Sequence, residues 1–118
     1  MSDADKVISY DELKALIEKS SNLLVIDVHS KEEVDKGKIP GSIHIPVDTV
    51  ESEMSLEAAA FKSKFGVQKP PLDAPELVFH CQMGRRGGIA TEKARSLGFQ
   101  MARNYAGGYK EWSEKEGK

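Results

Sequence analysis

Two short, nearly continuous apolar segments, residues 23–28 and 77–80, constrain the fold of this chain more than any other sequence feature. A strand covered on one face alternates apolar and polar residues, whereas a strand covered on both faces is apolar almost throughout. Each segment is followed by residues with helical periodicity. Strands that alternate with helices predict an α/β fold with a parallel sheet and helices on both faces. In such folds ligands bind beyond the carboxyl ends of the strands.

Capping patterns mark where the first two helices begin. Ser9 and Glu12 have the spacing of a capping box, so a helix is predicted to start there and to run to about Lys19. Ser30 and Glu33 repeat this spacing directly after the first apolar segment. A second, shorter helix is therefore predicted to follow the strand at residues 23–28.

The rest of the chain continues the alternation of strands and helices. Three prolines within residues 68–75 exclude a helix interior or a central strand and indicate a surface loop. The other predicted elements are short strands at 7–8, 42–45 and 101–105, a helical region at 47–65 ended by Gly66, a helix lined by Ile89, Ala90, Ala94 and Leu97 and ended by Gly98, and a last helix that contains Trp112.

Length and composition favour one folded domain. A chain of 118 residues has room for one hydrophobic core, because a second core needs roughly a hundred further residues. Hydrophobic residues make up 39% and charged residues 31%, mixed along the sequence, which disfavours intrinsic disorder. We expect a single domain over residues 1–118, with its core at about residues 7–115.

Charge and hydropathy limit the cellular compartments and the binding partners that we expect for this chain. The formal net charge of -2 gives no global positive field, so neither nucleic acid nor a membrane surface is an expected partner. The apolar runs are far shorter than the roughly 20 residues that span a bilayer. The acidic, polar N-terminus shows no export signal. We therefore expect a cytoplasmic protein, by default a monomer.

Cys81 is the only cysteine, so the chain cannot form an internal disulfide. This fits a reducing compartment and leaves three interpretations: a buried core thiol, an intermolecular partner, or a reactive thiol. A cysteine taken at random is more often a small buried apolar residue. Its neighbours decide between these interpretations.

The residues around Cys81 favour a reactive thiol. Cys81 follows a predicted strand and precedes a predicted helix, so backbone N–H groups and the positive end of the helix point towards the sulfur. Gly84 and Gly87 allow a tight turn around a ligand, and Arg85 and Arg86 offer planar donors to an oxyanion. These groups stabilise a thiolate, which we expect to predominate at neutral pH.

Three segments of the chain resemble the rhodanese family of sulfurtransferases. Cys81, Gly84 and Arg86 reproduce the Cys-x-x-Gly-x-Arg active loop of its single-domain members. The other matching residues are Asp27, Glu33, Gly37, Ile39, Pro40 and Gly41 upstream, and Gly107, Gly108 and Trp112 near the C-terminus. The resemblance spans about residues 7–112 and is strongest to small cytosolic thiosulfate sulfurtransferases. It implies a five-stranded parallel sheet with a persulfide-forming cysteine at its centre.

The resemblance also implies a site and a reaction. Cys81 is the nucleophile, a small-molecule donor such as thiosulfate supplies the sulfur, and glutathione, thioredoxin or cyanide accepts it without a metal or organic cofactor. Asp27 and Glu33 support the active loop from behind. The residues expected to hold the persulfide through their amides and arginines are Gln82, Met83, Gly84, Arg85, Arg86 and Gly87.

The chain departs from the family pattern at two positions. His29 stands where the family usually has arginine, and Lys38 stands where it usually has histidine. The first departure removes a charged partner near Glu33. His80 precedes the nucleophile, but consecutive strand residues point to opposite faces, so we expect a structural role for it. His29 and His44 are expected near the rim of the site, and no histidine has metal-ligand spacing with Cys81.

Two alternative functions use the same fold. Related phosphatases and arsenate reductases carry Cys-x5-Arg, which needs an arginine at position 87, where this chain has glycine. The shorter loop suits the small outer sulfur of a thiosulfonate better than a phosphate. A binding module, or a persulfide relay to another protein that does not turn over free thiosulfate, is the second alternative. Sequence does not separate a relay from an enzyme.

Overall fold

The computed structural model describes residues 7–19, 23–29, 31–36, 39, 42–73, 76–81 and 85–116. Its centre is a five-stranded sheet in which every pairing is parallel, with the strand order β1-β5-β4-β2-β3. The strands are β1 (Val7–Ile8), β2 (Leu24–Asp27), β3 (Ile43–His44), β4 (Leu77–His80) and β5 (Arg103–Tyr105). The predicted α/β architecture is confirmed, with β4 in the middle of the sheet.

Six α-helices connect and flank the strands in the described part of the chain. They are α1 (Tyr10–Lys19), α2 (Lys31–Lys36), α3 (Val50–Met54), α4 (Ala58–Phe65), α5 (Arg85–Ser96) and α6 (Gly108–Glu116), with a 3₁₀ turn at Val47–Thr49. The predicted capping box at the start of α1 is confirmed: Ser9 Oγ accepts a hydrogen bond from the Glu12 amide at 3.2 Å, and Glu12 Oε1 accepts one from the Ser9 amide at 3.3 Å. Ser30 and Gly37 lie outside the described residues.

The helical region predicted at 47–65 is divided rather than continuous. Helix α3 ends at Met54, and the chain is extended at Glu57 before α4 begins. Met54 and Phe61, on the two separate helices, are both buried. Gly66 ends α4 with a φ of 76°, a left-handed conformation that glycine adopts without steric cost.

Helix α5 begins earlier than its apolar pattern indicates. Its first residue is Arg85, and Ile89, which we expect on the buried face, is 44% exposed. The buried positions follow the helical period instead, at Gly87, Ala90, Thr91 and Ala94. The small residues on that face let α5 pack closely on β4 and β5.

Two apolar clusters cover the two faces of the sheet. Alternate residues of β2 and β4 point to opposite faces, so Ile26 and Phe79 belong to one cluster and Val25 and Val78 to the other. The first cluster contains residues of α3, α4 and α5, including Met54, Phe61, Ala90 and Ala94. The second contains residues of α1 and α6, including Leu13 and Trp112. The buried position of Trp112 fits the structural role that its sequence position indicates.

Candidate active site

Cys81 is the first residue after β4, at the carboxyl end of the central strand. Two backbone hydrogen bonds fix this end of the strand. The Val28 amide donates to the His80 carbonyl at 2.9 Å, and the Tyr109 amide, at the start of α6, donates to the Cys81 carbonyl at 2.7 Å. The backbone of Cys81 is therefore held by the neighbouring strand on one side and by α6 on the other.

The side chain of Cys81 is only 2% exposed and belongs to the apolar cluster on the α5 face of the sheet. Its neighbours in that cluster include Val28, Phe79 and Ala90. The next three residues of the loop, Gln82, Met83 and Gly84, lie outside the described residues. The ring of loop amides around the sulfur therefore stays a prediction.

Gly87 allows the amino end of α5 to approach the sheet. A Cβ at this position would overlap Asn104 Oδ1 on β5 and would lie 3.3 Å from His80 Cα on β4. Only glycine fits this contact without movement of its neighbours. Helix α5 thus starts directly over the ends of β4 and β5, four residues after Cys81.

The two arginines of the loop lie in different environments. Arg86 donates from both Nη atoms to the two carboxylate oxygens of Glu33, at 2.6 and 2.7 Å. These hydrogen bonds, and the negative charge of Glu33 and then of Cys81 and Asp27, raise the pKa of Arg86 above its ordinary value. Arg85 is exposed at the first position of α5. Arg86 therefore joins the first turn of α5 to α2, whereas the side chain of Arg85 is exposed.

Asp27 and His80 form a buried polar pair on the face of the sheet opposite Cys81. They are register partners in β2 and β4, and both side chains are 0% exposed. Burial raises the pKa of Asp27, but hydrogen bonds from His29 and the charge of His80 outweigh burial and lower it below its ordinary value. Burial lowers the pKa of His80 to about 4, against the opposing pull of Asp27. His80 is therefore neutral at pH 7 and points away from the sulfur.

His29 and His44 also lie at this edge of the sheet, as their sequence positions indicate. His29 is 1% exposed, and its Nδ1 is 3.0 Å from Asp27 Oδ1. His44 is partly buried and contacts the His29 carbonyl. Within the described ranges, no group of three or more histidine, cysteine, aspartate or glutamate side chains has an arrangement that would hold a metal ion. Lys38 lies outside the described residues.

Sequence reasoning missed two residues that shape the site. Asn104 packs against Gly87, and Tyr109 holds the Cys81 carbonyl through its backbone amide. A backbone donor leaves no side-chain signal in a sequence. Asn104 does give a weak sequence signal, because a polar residue within a short, largely buried strand usually makes a specific contact. In the part of the chain that the structure covers, no helix is long and apolar enough to cross a membrane.

Comparison with known proteins agrees with this geometry. The family described as "Rhodanese-like domain" matches residues 9–115. A human protein named thiosulfate:glutathione sulfurtransferase is 50% identical over 109 residues, which are 92% of this chain and 94% of the human protein. A yeast protein from Saccharomyces cerevisiae, named thiosulfate sulfurtransferase RDL2, mitochondrial, is 36% identical over 97% of this chain and 76% of its own length.

Two solved structures of single-domain sulfurtransferases superpose on the chain. The human single-domain sulfurtransferase TSTD1 has a TM-score of 0.88 at 48% identity and covers 93% of this chain and 96% of its own. The Saccharomyces cerevisiae single-domain sulfurtransferase RDL2 has a TM-score of 0.80 at 35% identity, with 95% of this chain and 91% of its own covered. Both matches cover more than nine-tenths of this chain, at 93% and 95%.

Proposed function

This chain belongs to the rhodanese family, and we propose that it is a thiosulfate sulfurtransferase in which Cys81 carries the transferred sulfur as a persulfide. One observation supports the proposal: Cys81 lies at the carboxyl end of the central strand and four residues before α5, whose Arg86 pairs with Glu33 on α2. This arrangement is suited to an anionic sulfur.

In the first half-reaction, the Cys81 thiolate attacks the outer sulfur of thiosulfate. A new S–S bond forms at Cys81, the S–S bond of thiosulfate breaks, and sulfite leaves with the electron pair of that bond. The product is a Cys81 persulfide that carries the negative charge of the attacking thiolate. This is covalent catalysis, with the sulfur held on the enzyme between two substrates.

In the second half-reaction, a thiolate attacks the terminal sulfur of the persulfide. The acceptor becomes a persulfide, and Cys81 leaves as the thiolate that starts the next cycle. The human relative is named for glutathione as acceptor. We propose glutathione for this chain as well, with thioredoxin and, in assays, cyanide as further acceptors. Neither half-reaction needs a metal ion or an organic cofactor.

Preorganised donors supply the catalytic stabilisation in this proposal. Amides of the loop at residues 82–87, among them Gln82, Met83 and Gly84, hold the anionic sulfur, each worth up to about 3 kcal/mol by analogy with oxyanion holes. Arg85, exposed beside the loop, binds the sulfonate end of thiosulfate. Arg86 and Glu33 keep the loop in place. Asp27 and Gly87 support the loop from the sheet and from α5.

Mass spectrometry of the intact protein tests the proposal directly. After incubation with thiosulfate and removal of excess reagent, the wild type gains the mass of one sulfur atom and Cys81→Ser gains none. Sulfite release should then require Cys81 and continue over many turnovers when glutathione is present. A wild-type protein that forms no persulfide, or that releases sulfite equally well as the Ser variant, contradicts the proposed function.

The same assay separates the alternatives. A relay or binding module forms the persulfide once but shows no turnover with glutathione or cyanide. A phosphatase would hydrolyse phosphate esters faster than its Cys81→Ser variant does. The Cys-x-x-Gly-x-Arg spacing disfavours this activity.

We further propose that the protein acts as a monomer in the cytoplasm. Size-exclusion chromatography tests the monomeric state. Localisation of the tagged full chain tests the cytoplasmic location, which the name of the mitochondrial yeast relative leaves open.

A further inference from the structure

All three histidines of the chain gather around one carboxylate at the carboxyl edge of the sheet. Asp27 on β2 is the register partner of both His44 on β3 and His80 on β4. His29 follows two residues after Asp27, and its ring packs edge-on against the His80 ring with centroids 5.8 Å apart. Three neighbouring strands and the connection from β2 to α2 therefore meet at this cluster.

The backbone of His29 is held on both sides. Its amide donates to Asp27 Oδ1 at 2.8 Å, and its carbonyl accepts a hydrogen bond from His44 Nε2 at 2.6 Å. Asp27 and His29 are buried, whereas His44 is partly buried. These two contacts fix the point at which the chain leaves β2 for α2.

The position of His29 sets the position of helix α2, and α2 contacts the start of α5 beside the active loop. It begins at Lys31, two residues after His29, and carries Glu33 in its first turn. A helix of six residues has little stability of its own, so its placement depends on its anchors. Glu33 in turn accepts both hydrogen bonds from Arg86, at the start of α5. His44 thus contacts His29, the chain continues from His29 to Glu33 on α2, and Glu33 contacts Arg86.

The cluster does not act on the sulfur by contact. Asp27 and His80 lie on the face of the sheet that carries α1 and α6, whereas Cys81 belongs to the cluster on the α5 face. The hydrogen bonds from His44 to the His29 carbonyl and from Arg86 to Glu33 point to the position of α2 as the route by which His44 affects the reaction. A residue that acts in this way positions the catalytic groups and takes no part in bond making.

We propose that His44 is a positioning residue for the sulfur transfer proposed above, which this inference presupposes: its hydrogen bond to the His29 carbonyl places Glu33 so that it holds Arg86 and the active loop. Loss of the bond lets α2 shift, weakens the Glu33–Arg86 contact, and lowers kcat/KM for thiosulfate. The fold and the chemistry of Cys81 remain.

A pair of amide substitutions isolates this hydrogen bond. In His44→Gln the side-chain nitrogen reaches the position of Nε2, whereas in His44→Asn it is too short, and both variants stay polar at a partly buried site. His44→Ala is a second variant without the donor. Ser55→Ala is the matched control, because it removes an equally short hydrogen bond of 2.6 Å, from Ser55 Oγ to the Glu51 carbonyl on α3.

The expected result is a loss of kcat/KM for thiosulfate of about fivefold to tenfold in His44→Asn and His44→Ala, the size of coupling seen between contacting residues. His44→Gln and Ser55→Ala keep wild-type values. In a Glu33→Gln background the His44→Asn effect falls below about twofold, because the contact it supports is already lost. A merely structural role predicts equal losses in both backgrounds.

Two results overturn the proposal. One is full activity of His44→Asn and His44→Ala, and the other is an undiminished His44→Asn effect in the Glu33→Gln background. The wild-type persulfide measurement is a separate arm of the experiment. If the wild type forms no persulfide, the proposed function fails. If it forms the persulfide and the His44 variants behave as the wild type, only this inference fails.

Discussion

Arg86 and Glu33 lie 53 residues apart in the sequence and form a two-point ion pair, with both guanidinium Nη atoms on both carboxylate oxygens. One residue belongs to the first turn of α5 and the other to the first turn of α2. The pair joins α2 to α5, the helix that follows the active loop.

Arg86→Lys should be a damaging substitution despite its conserved charge. A lysine ammonium is a point charge and cannot make the parallel pair of hydrogen bonds that a guanidinium makes. Both partners are about one-third exposed, so the loss of unfolding free energy should stay within about 1 kcal/mol. We expect kcat/KM for thiosulfate to fall about tenfold, through loop position. Steady-state kinetics would measure the loss of activity, and urea denaturation would show that stability changes little. An unchanged kcat/KM would contradict the prediction.

Arg85→Ala should raise KM for thiosulfate and leave the free energy of unfolding nearly unchanged. Arg85 is exposed at the start of α5, where substitutions usually change stability by less than about 0.5 kcal/mol. Removal of its positive charge weakens binding of the sulfonate before the chemical step. The matched control is Lys62→Ala, since Lys62 is an exposed cation on α4. Equal KM values for the two variants would refute the assignment.

Gly87→Ala should destabilise the protein and displace the amino end of α5. The added Cβ overlaps Asn104 Oδ1 and presses on the His80 backbone, and overpacking of this kind costs about 1–3 kcal/mol. Gly88→Ala is the control on the same helix, since its Cβ comes no closer than 3.5 Å to Asn104 Nδ2. Thermal unfolding of both variants tests the difference. Asn104→Ala combined with Gly87→Ala should recover part of the loss, because the overlapping atom is then absent.

His80 should make the protein sensitive to acid. Its pKa is about 4 in the folded state and 6.5 in the unfolded chain, so the unfolded state binds a proton first as the pH falls. This contribution is fully present above pH 6.5 and is lost between pH 6.5 and about 4, a difference of about 3 kcal/mol.

His80→Phe tests this dependence, because phenylalanine has a ring of similar size and no titratable nitrogen. Urea denaturation at several pH values between 4 and 6.5 gives the free energy of unfolding for each protein. We expect the free energy of unfolding of the variant, relative to that of the wild type, to increase as the pH falls. Parallel pH profiles for the two proteins would exclude His80 as the source.

The sequence by itself determined the order of strands and helices, the capping box of α1, the glycine that ends α4, and the position of Cys81 after a buried strand. Each of these features is encoded by residues within a few positions of one another, so local rules of periodicity and capping are enough to find them. The strand count and the reaction followed from three motifs that resemble one family.

Only the tertiary structure decided which distant residues meet. The packing of α2 beside α5 brought Arg86 to Glu33, which lies 53 residues away in the sequence. The register of β2 with β3 and β4 brought Asp27 between His44 and His80. Strand order and register depend on packing throughout the core, so they cannot be predicted from any single segment of the sequence.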